Sequence, residues 1–277
     1  MKWRASSGQR SVAGSAALAV LVACATVAAA ALISVSDEIA LGKEAQQQVR
    51  AEVPVLSDPE IVGYVRGVGR VLAAKAGGPK YPYTFSIANY KEINAFALPG
   101  GPVWIHRGAI AAAGNEAQLA AVLAHEIAHI AQRHAADQIT QRLVANGLLG
   151  LLGAVLGNTR SARTAQLGAQ VLAGGYLLKF SRDDERDADS VGARILQRAG
   201  WDSRQMIAFM EKLARDQGRD PGSVAIFLSS HPAPAERAER LRAELRGVTS
   251  GRIDSGTFRR MLTRLNRLPP ARSMPKR

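Results

Sequence analysis

The stretch LAAVLAHEIAHIAQRH, Leu119 to His134, constrains this chain more than any other, because it gathers three of only five histidines. Asn115 can cap a helix that begins just before it and runs to about Asp137. Positions four apart share one face of a helix, so His125 and His129 point the same way and can donate to one ion. The flanking Leu123, Ile127 and Ile130 are apolar, which places this helix in a core. Two imidazoles and a carboxylate buried there without partners would be costly. A shared metal removes that cost, and H-E-x-x-H is the spacing of zinc hydrolases. Glu126 is offset around the helix, in reach of a water on the metal rather than of the metal itself. His134 falls off the metal-facing positions and reads as a surface histidine or one that supports a ligand from behind.

A catalytic zinc usually has three protein ligands and one open position. The segment DDERDAD, residues 183 to 189, offers Glu185 as the third, with Asp189 one helical turn on. A carboxylate at 189 suits a group that orients a ligating histidine through its other ring nitrogen. Five acids in seven residues could equally form a solvated charged face.

Aromatic residues are only 5% of the 277 and apolar residues 47%, with alanine and leucine dominant. This predicts one sizeable core in a mainly α (α+β) protein. The formal charge of +13 suggests a nucleic-acid partner at first. Its distribution excludes one: Lys2, Arg4 and Arg10 stand at the amino end, and residues 247–277 hold eight basic residues against Asp254.

Residues 1–35 read as an export or anchor segment. Three basic residues precede an apolar run from Ala16 to Ile33 that contains Leu21-Val22-Ala23-Cys24. Cys24, the single cysteine, sits where a bacterial lipoprotein is lipidated. The alternatives are an uncleaved anchor helix, for which 18 apolar residues just suffice, and ordinary secretion. Each puts the body of the protein on the periplasmic side of the envelope, as an outer-membrane lipoprotein or anchored in the inner membrane. Residues 247–277, rich in arginine and carrying three prolines, are expected to be a weakly ordered basic tail that is solvated or touches anionic lipid or a partner.

Between these ends, residues 36–246 form the expected catalytic domain. Helices are predicted over residues 36–50, over residues 58–77 with Asp58 as cap, from about 183 to Gly200, from Ser203 to Gly218, and from Pro234. Two Gly-punctuated apolar runs follow Asp137 and suit a buried pair better than a membrane hairpin. Only residues 83–107 carry strand signals, around Pro99-Gly100-Gly101, so a small hairpin or sheet is expected beside the active-site helix. Val103 to His106 read as an exposed edge strand, and Gly100 and Gly101 as points of close backbone approach. Gly100, Gly101, Val103 and Trp104 are therefore the expected substrate strand, pairing main chain to main chain with an extended segment. His106 is a further potential ligand, but the ligand count is already met. No internal repeat of 20–50 residues points to a solenoid domain.

Four motifs stand in order: N-A-F-A-L-P-G-G from Asn94, H-E-x-x-H from His125, S-R-x-x-E-x-x-A-D from Ser181 and H-P-x-x-x-x-R from His231. Together they resemble the HtpX-like and BepA/LoiP-like zinc metallopeptidases, relatives of the mitochondrial Oma-type protease and the CAAX prenyl endopeptidase. The resemblance implies a zincin-like gluzincin holding one zinc ion on His125, His129 and Glu185, with Glu126 as general base. It also implies quality control of unfolded or misfolded envelope proteins. His231 and Arg237 are candidates to hold the developing oxyanion. The resemblance offers His231 a second role, as an extra zinc ligand that latches the site. Arg237 is open between substrate contact and an ion pair with Glu126 or Asp189. The competing readings are a chaperone or assembly factor for outer-membrane proteins that rarely cleaves them, and a zinc hydrolase of non-peptide substrates.

Overall fold

The structure, a computed structural model, describes residues 33–145 and 179–275. Residues 1–32 of the expected signal or anchor segment, Cys24 among them, fall outside the described residues, as does most of the two Gly-punctuated apolar runs. Among the described residues no helix is long and apolar enough to cross a membrane.

Ten helices and one three-stranded sheet are present among the described residues. Helix α1 spans Val35–Glu52 and α2 spans Pro59–Ala73. Asp58 caps α2 by accepting the Ile61 N–H at 3.1 Å, with Pro59 in the first turn where its missing N–H costs nothing. Strands β1 (Thr84–Ala88), β2 (Ala95–Ala97) and β3 (Pro102–His106) follow. Then come α3 (Arg107–Ala112), α4 (Glu116–Ala131) and α5 (His134–Ala145). Beyond the gap lie α6 (Arg182–Arg198), α7 (Arg204–Arg219), α8 (Pro221–Ser230), α9 (Pro234–Glu244) and α10 (Thr257–Arg267).

The sheet order is β1-β3-β2, with β1 parallel and β2 antiparallel to β3. Alternation along the strands splits the side chains between two apolar layers. Phe85, Ile87, Ala95, Ala97, Val103 and Ile105 join the main core with α2 and α4. Phe96, Leu98 and Trp104 face the other way, onto Ala45 and Val49 of α1. Both faces of the sheet are thus covered.

This arrangement corrects the substrate-strand expectation. β3 is the central strand, both of its backbone edges are taken, and all five of its residues are buried. Val103 and Trp104 are core residues on opposite faces. Gly100 and Gly101 do sit at close approaches, but to the protein's own chain. A Cβ at Gly100 (φ +71°) would lie 2.4 Å from the Glu38 carbonyl oxygen. One at Gly101 (φ +133°) would lie 2.8 Å from that of Pro82.

A second correction concerns residues 247–277. They are not a weakly ordered tail over their described part. Phe258, Met261, Leu262 and Leu265 recur at i, i+3, i+4, i+7, and α10 packs Phe258 and Leu265 into the main core. Arg259, Arg260 and Arg267 occupy the exposed side. The buried Arg107 guanidinium donates to the Leu265 and Pro269 carbonyls, each at 2.6 Å, and so caps the end of α10. The dense positive charge had masked this apolar stripe.

A third difference lies at the end of α4. The helix stops at Ala131 instead of continuing to Asp137, because Arg133 adopts a left-handed backbone, φ +65°. Such a conformation costs a non-glycine residue on the order of 1–2 kcal/mol. The Arg133 side chain ties the turn down through Glu38, Nε to Oε1 at 2.7 Å, and through the Ile33 carbonyl. Tyr81 Oη donates to the other Glu38 oxygen at 2.9 Å. Burial raises the Glu38 pKa above the usual carboxylate value, and Arg133 and Tyr81 counter part of that rise.

Candidate metal centre

Helix α4 is buried around nearly its whole circumference, and α6 lies against it. Gly192 of α6 makes the close approach possible: a Cβ there would lie 3.3 Å from the Ala124 backbone. Asn115 caps α4 by accepting the Gln118 N–H at 2.9 Å. Ser181 and Asp184 form a reciprocal capping box that starts α6. Of the acidic run on α6, Glu185 and Asp189 turn inward, 1% and 0% exposed, while Asp183 and Asp187 stay toward solvent. The run is therefore part site and part solvated face.

His125, His129, Glu185 and His231 each bring one ligand atom into a group whose members all lie within 4.8 Å of one another. The His125 and His129 Nε2 atoms are 3.1 Å apart. Glu185 Oε1 lies 3.4 Å from His129 Nε2, and Oε2 lies 3.5 Å from His125 Nε2. His231 Nδ1 lies 2.8 Å from Glu185 Oε1. Two imidazole lone pairs and a carboxylate converging on one point, buried from water, form a donor set that fits a divalent metal. Both Glu126 oxygens are buried beside it without a hydrogen-bond partner, which marks a group waiting for a ligand rather than a structural one. Burial raises the Glu126 pKa above the usual carboxylate value.

The outer partners are equally defined. His125 Nδ1 lies 3.1 Å from Asp189 Oδ1. Arg237 grips Asp189 through Nε at 2.9 Å and Nη2 at 2.6 Å, and its Nη1 contacts Glu185 Oε2 at 2.5 Å. All three Arg237 nitrogens are committed to these carboxylates. Burial opposes ionisation of Asp189, but Arg237 outweighs it and holds the carboxyl down at about 2. Burial opposes the Glu185 charge as well, and the His231 and Arg237 charges hold that carboxyl well below its usual range. The turn between α8 and α9 delivers His231 and Arg237 together, with Ala233 left-handed at φ +57°.

Of the further neighbours, the sequence raised only His134, as a surface histidine or one that supports a ligand from behind. Phe180 stacks on the His129 ring, centroids 3.9 Å apart and planes 20° from parallel. His134, 7% exposed, brings its Nδ1 to 2.9 Å from His129 Nδ1. An apolar recess opens beside His125 and Glu126, walled by Val122, Met206, Phe209, Met210, Leu213 and Phe227. Helical spacing on α7 could have flagged Met206, Phe209, Met210 and Leu213, though not as neighbours of a metal centre. His106 is no part of the group: it is buried in the sheet layer, with its Nδ1 3.2 Å from the Glu92 carbonyl. Burial pushes its imidazole down to about 4.

The free edge nearest α4 belongs to β2. It pairs only with β3 among the described residues, and α4 packs against it. Asn94 O accepts the His106 N–H at 2.9 Å, and Pro102 O accepts the Leu98 N–H at 2.8 Å. By the alternation of an antiparallel ladder, the Ala95 and Ala97 main-chain groups then point away from β3.

Residues 61–245 match the model of peptidase family M48. The chain is 36% identical over 214 residues to the beta-barrel assembly-enhancing protease of Yersinia pestis, covering 76% of this chain and 44% of that protein. With the protein of the same name from Escherichia coli K12 it shares 35% identity over 212 residues, 74% of this chain and 43% of that one. The mitochondrial metalloendopeptidase OMA1 of Schizosaccharomyces pombe is 31% identical over 178 residues, 64% of this chain and 51% of that one. The chain thus spans less than half the length of the two assembly-enhancing proteases.

Proposed function

The chain belongs to peptidase family M48, and from that membership we propose that it is a zinc-dependent endopeptidase cutting unfolded or misfolded proteins of the bacterial cell envelope. The observation that carries this reading is the convergence of His125, His129 and Glu185 beside a buried Glu126 carboxylate that has no hydrogen-bond partner and only His231 Nε2 near it, at 3.6 Å. Those three residues would hold the zinc. When bound, the ion supplies Lewis acidity, polarising the scissile carbonyl and making water acidic enough to attack near neutral pH.

Glu126 acts as the general base. It takes the proton of the attacking water and returns it to the leaving amine. Once the cover over the buried Ala95 and Ala97 moves, their main-chain groups at the β2 edge align an extended peptide, a mode of recognition that tolerates sequence but needs an unfolded segment. The apolar recess beside His125 and Glu126, too narrow as it stands for a side chain, widens to take one apolar side chain of that peptide. Arg237 acts through Asp189 and Glu185 as a positioning residue. His231, whose Nδ1 stands among the ligand atoms, is a latch that must move for substrate to enter.

The peptidase unit covers residues 36–246 and is completed by α10, which packs Phe258 and Leu265 into the same core. Residues 1–35 tether it to the periplasmic side of the envelope, lipidated at Cys24 or kept as an anchor helix. The names of the bacterial relatives bring outer-membrane β-barrel proteins forward as the substrate class.

The test is Glu126→Gln with zinc content and casein turnover measured together. Zinc retained and turnover lost is the expected result; turnover retained would remove the assignment. A second reading, an assembly factor that seldom cleaves, is favoured by the position of His231 in the ligand group. Survival of assembly function in the Glu126→Gln strain would select it.

A further inference from the structure

The two histidines of the H-E-x-x-H helix are held from behind by different chemistry. His125 Nδ1 faces the Asp189 carboxylate. His129 Nδ1 faces another imidazole, His134, at 2.9 Å. We propose that His134 is a positioning residue for His129: it accepts the His129 Nδ1–H and directs its own Nε2–H to Asp187, which fixes His129 as the tautomer whose Nε2 lone pair faces the metal. This inference rests on the metal reading above.

The proton order follows from the geometry. A histidine ligating through Nε2 carries its proton on Nδ1. His134 Nδ1 must therefore accept, and the His134 proton then sits on Nε2. That atom lies 3.4 Å from Asp187 Oδ2 and 3.9 Å from Asp184 Oδ1. The relay thus ends on carboxylates near solvent, with Asp187 40% exposed. The reverse order, with His134 donating from Nδ1, would put the His129 proton on Nε2 and abolish ligation.

Helical spacing alone denies this contact. Five residues on from His129, position 134 of an unbroken helix lies well around from the ligand face. The left-handed Arg133 ends α4 and restarts the chain as α5, and this brings the His134 ring edge-on to His129, planes 74° apart and centroids 5.0 Å apart. Phe180 stacks on the face of the same ring and leaves His129 little rotational freedom. Arg133 is itself held by Glu38 and the Ile33 carbonyl, so the strained turn and the relay are one device.

The experiment measures zinc affinity of the full chain by chelator competition at one fixed pH, together with the melting temperature of the metal-free protein. His134→Leu removes the acceptor and should weaken zinc binding on the order of 10–100-fold. His134→Asn places an oxygen where Nδ1 accepted and should stay within about threefold of wild type. Wild-type affinity in His134→Leu overturns the proposal. So does equal weakening in Leu and Asn with equal loss of metal-free melting temperature, which would mark a packing role. Should Leu fail to fold, ring ¹⁵N NMR of the zinc-loaded wild type decides: Nδ1–H on His129 supports the relay, and Nε2–H overturns it. A wild-type protein that takes up no zinc would instead sink the metal reading on which the relay depends.

Discussion

Arg237 and Asp189 meet through two parallel charge-assisted hydrogen bonds inside the protein, the arginine 6% exposed and the aspartate fully buried. The pair joins α9 to α6 and stands directly behind His125. Breaking a buried pair by removing one partner leaves an uncompensated charge, at a cost of about 3–5 kcal/mol. Arg237→Ala should lose stability in that range in urea denaturation, and Arg237→Lys should recover only part, because an ammonium cannot replace the planar fork. A loss under about 1 kcal/mol would show the pair to be expendable.

Glu126→Gln keeps the shape of the side chain and removes its basicity. Peptide turnover should fall by about 10²–10⁴-fold while zinc content is unchanged. Parallel metal analysis and casein assays check both halves.

Removing the metal should abolish turnover and also lower the melting temperature. A ligand that binds only the folded state stabilises it by about 4 kcal/mol at a thousandfold excess over its dissociation constant. Adding back zinc at one equivalent should restore both, as followed by calorimetry and activity. Restored melting without restored turnover would separate a structural metal from a catalytic one.

Asp58 links α2 to α10 by accepting from Arg264 Nε at 2.8 Å. The Arg264 hydrogen bond lowers the Asp58 pKa below its usual value, despite some opposing desolvation. A folded-state pKa below the unfolded value of about 3.9 means a contribution present above that pH and lost as pH falls through the folded pKa. Asp58→Asn preserves the helix cap but not the charge. The stability gap between wild type and this variant should hold from neutrality to about pH 5 and close below about pH 4. Urea unfolding across that range is the measurement.

Phe258 is 1% exposed and lies in the main core. Phe258→Ala should cost about 3–5 kcal/mol, as expected for a buried aromatic in a folded helix and not for a residue in a loose tail. Thermal or urea denaturation distinguishes the two.

Where the relevant information was local, the sequence was readable. The pairing of His125 with His129, the caps at Asp58 and Asn115, and the burial of α4 all follow from a 3.6-residue period and short-range hydrogen bonds. The stripe Phe258, Met261, Leu262, Leu265 was equally local, but it was hidden by the arginines interleaved with it. The central place of β3 was not local at all. A five-residue apolar strand looks the same whether one or both of its edges are paired, and only the return of β2 against β3 and the parallel docking of β1 settle which edge stays free.

The sequence by itself determined which helix carries the two facing imidazoles and which acidic run could supply a third donor, because both rest on spacing within one helix. The tertiary structure alone decided that Glu185 comes within 3.5 Å of both histidines and that Arg237 spends its charge on Asp189 and Glu185. It also decided that a left-handed turn swings His134 behind His129. Those relationships depend on how separate helices pack and where the backbone breaks. The energies that choose between such arrangements come from residues far apart in the chain, so no window of sequence contains them.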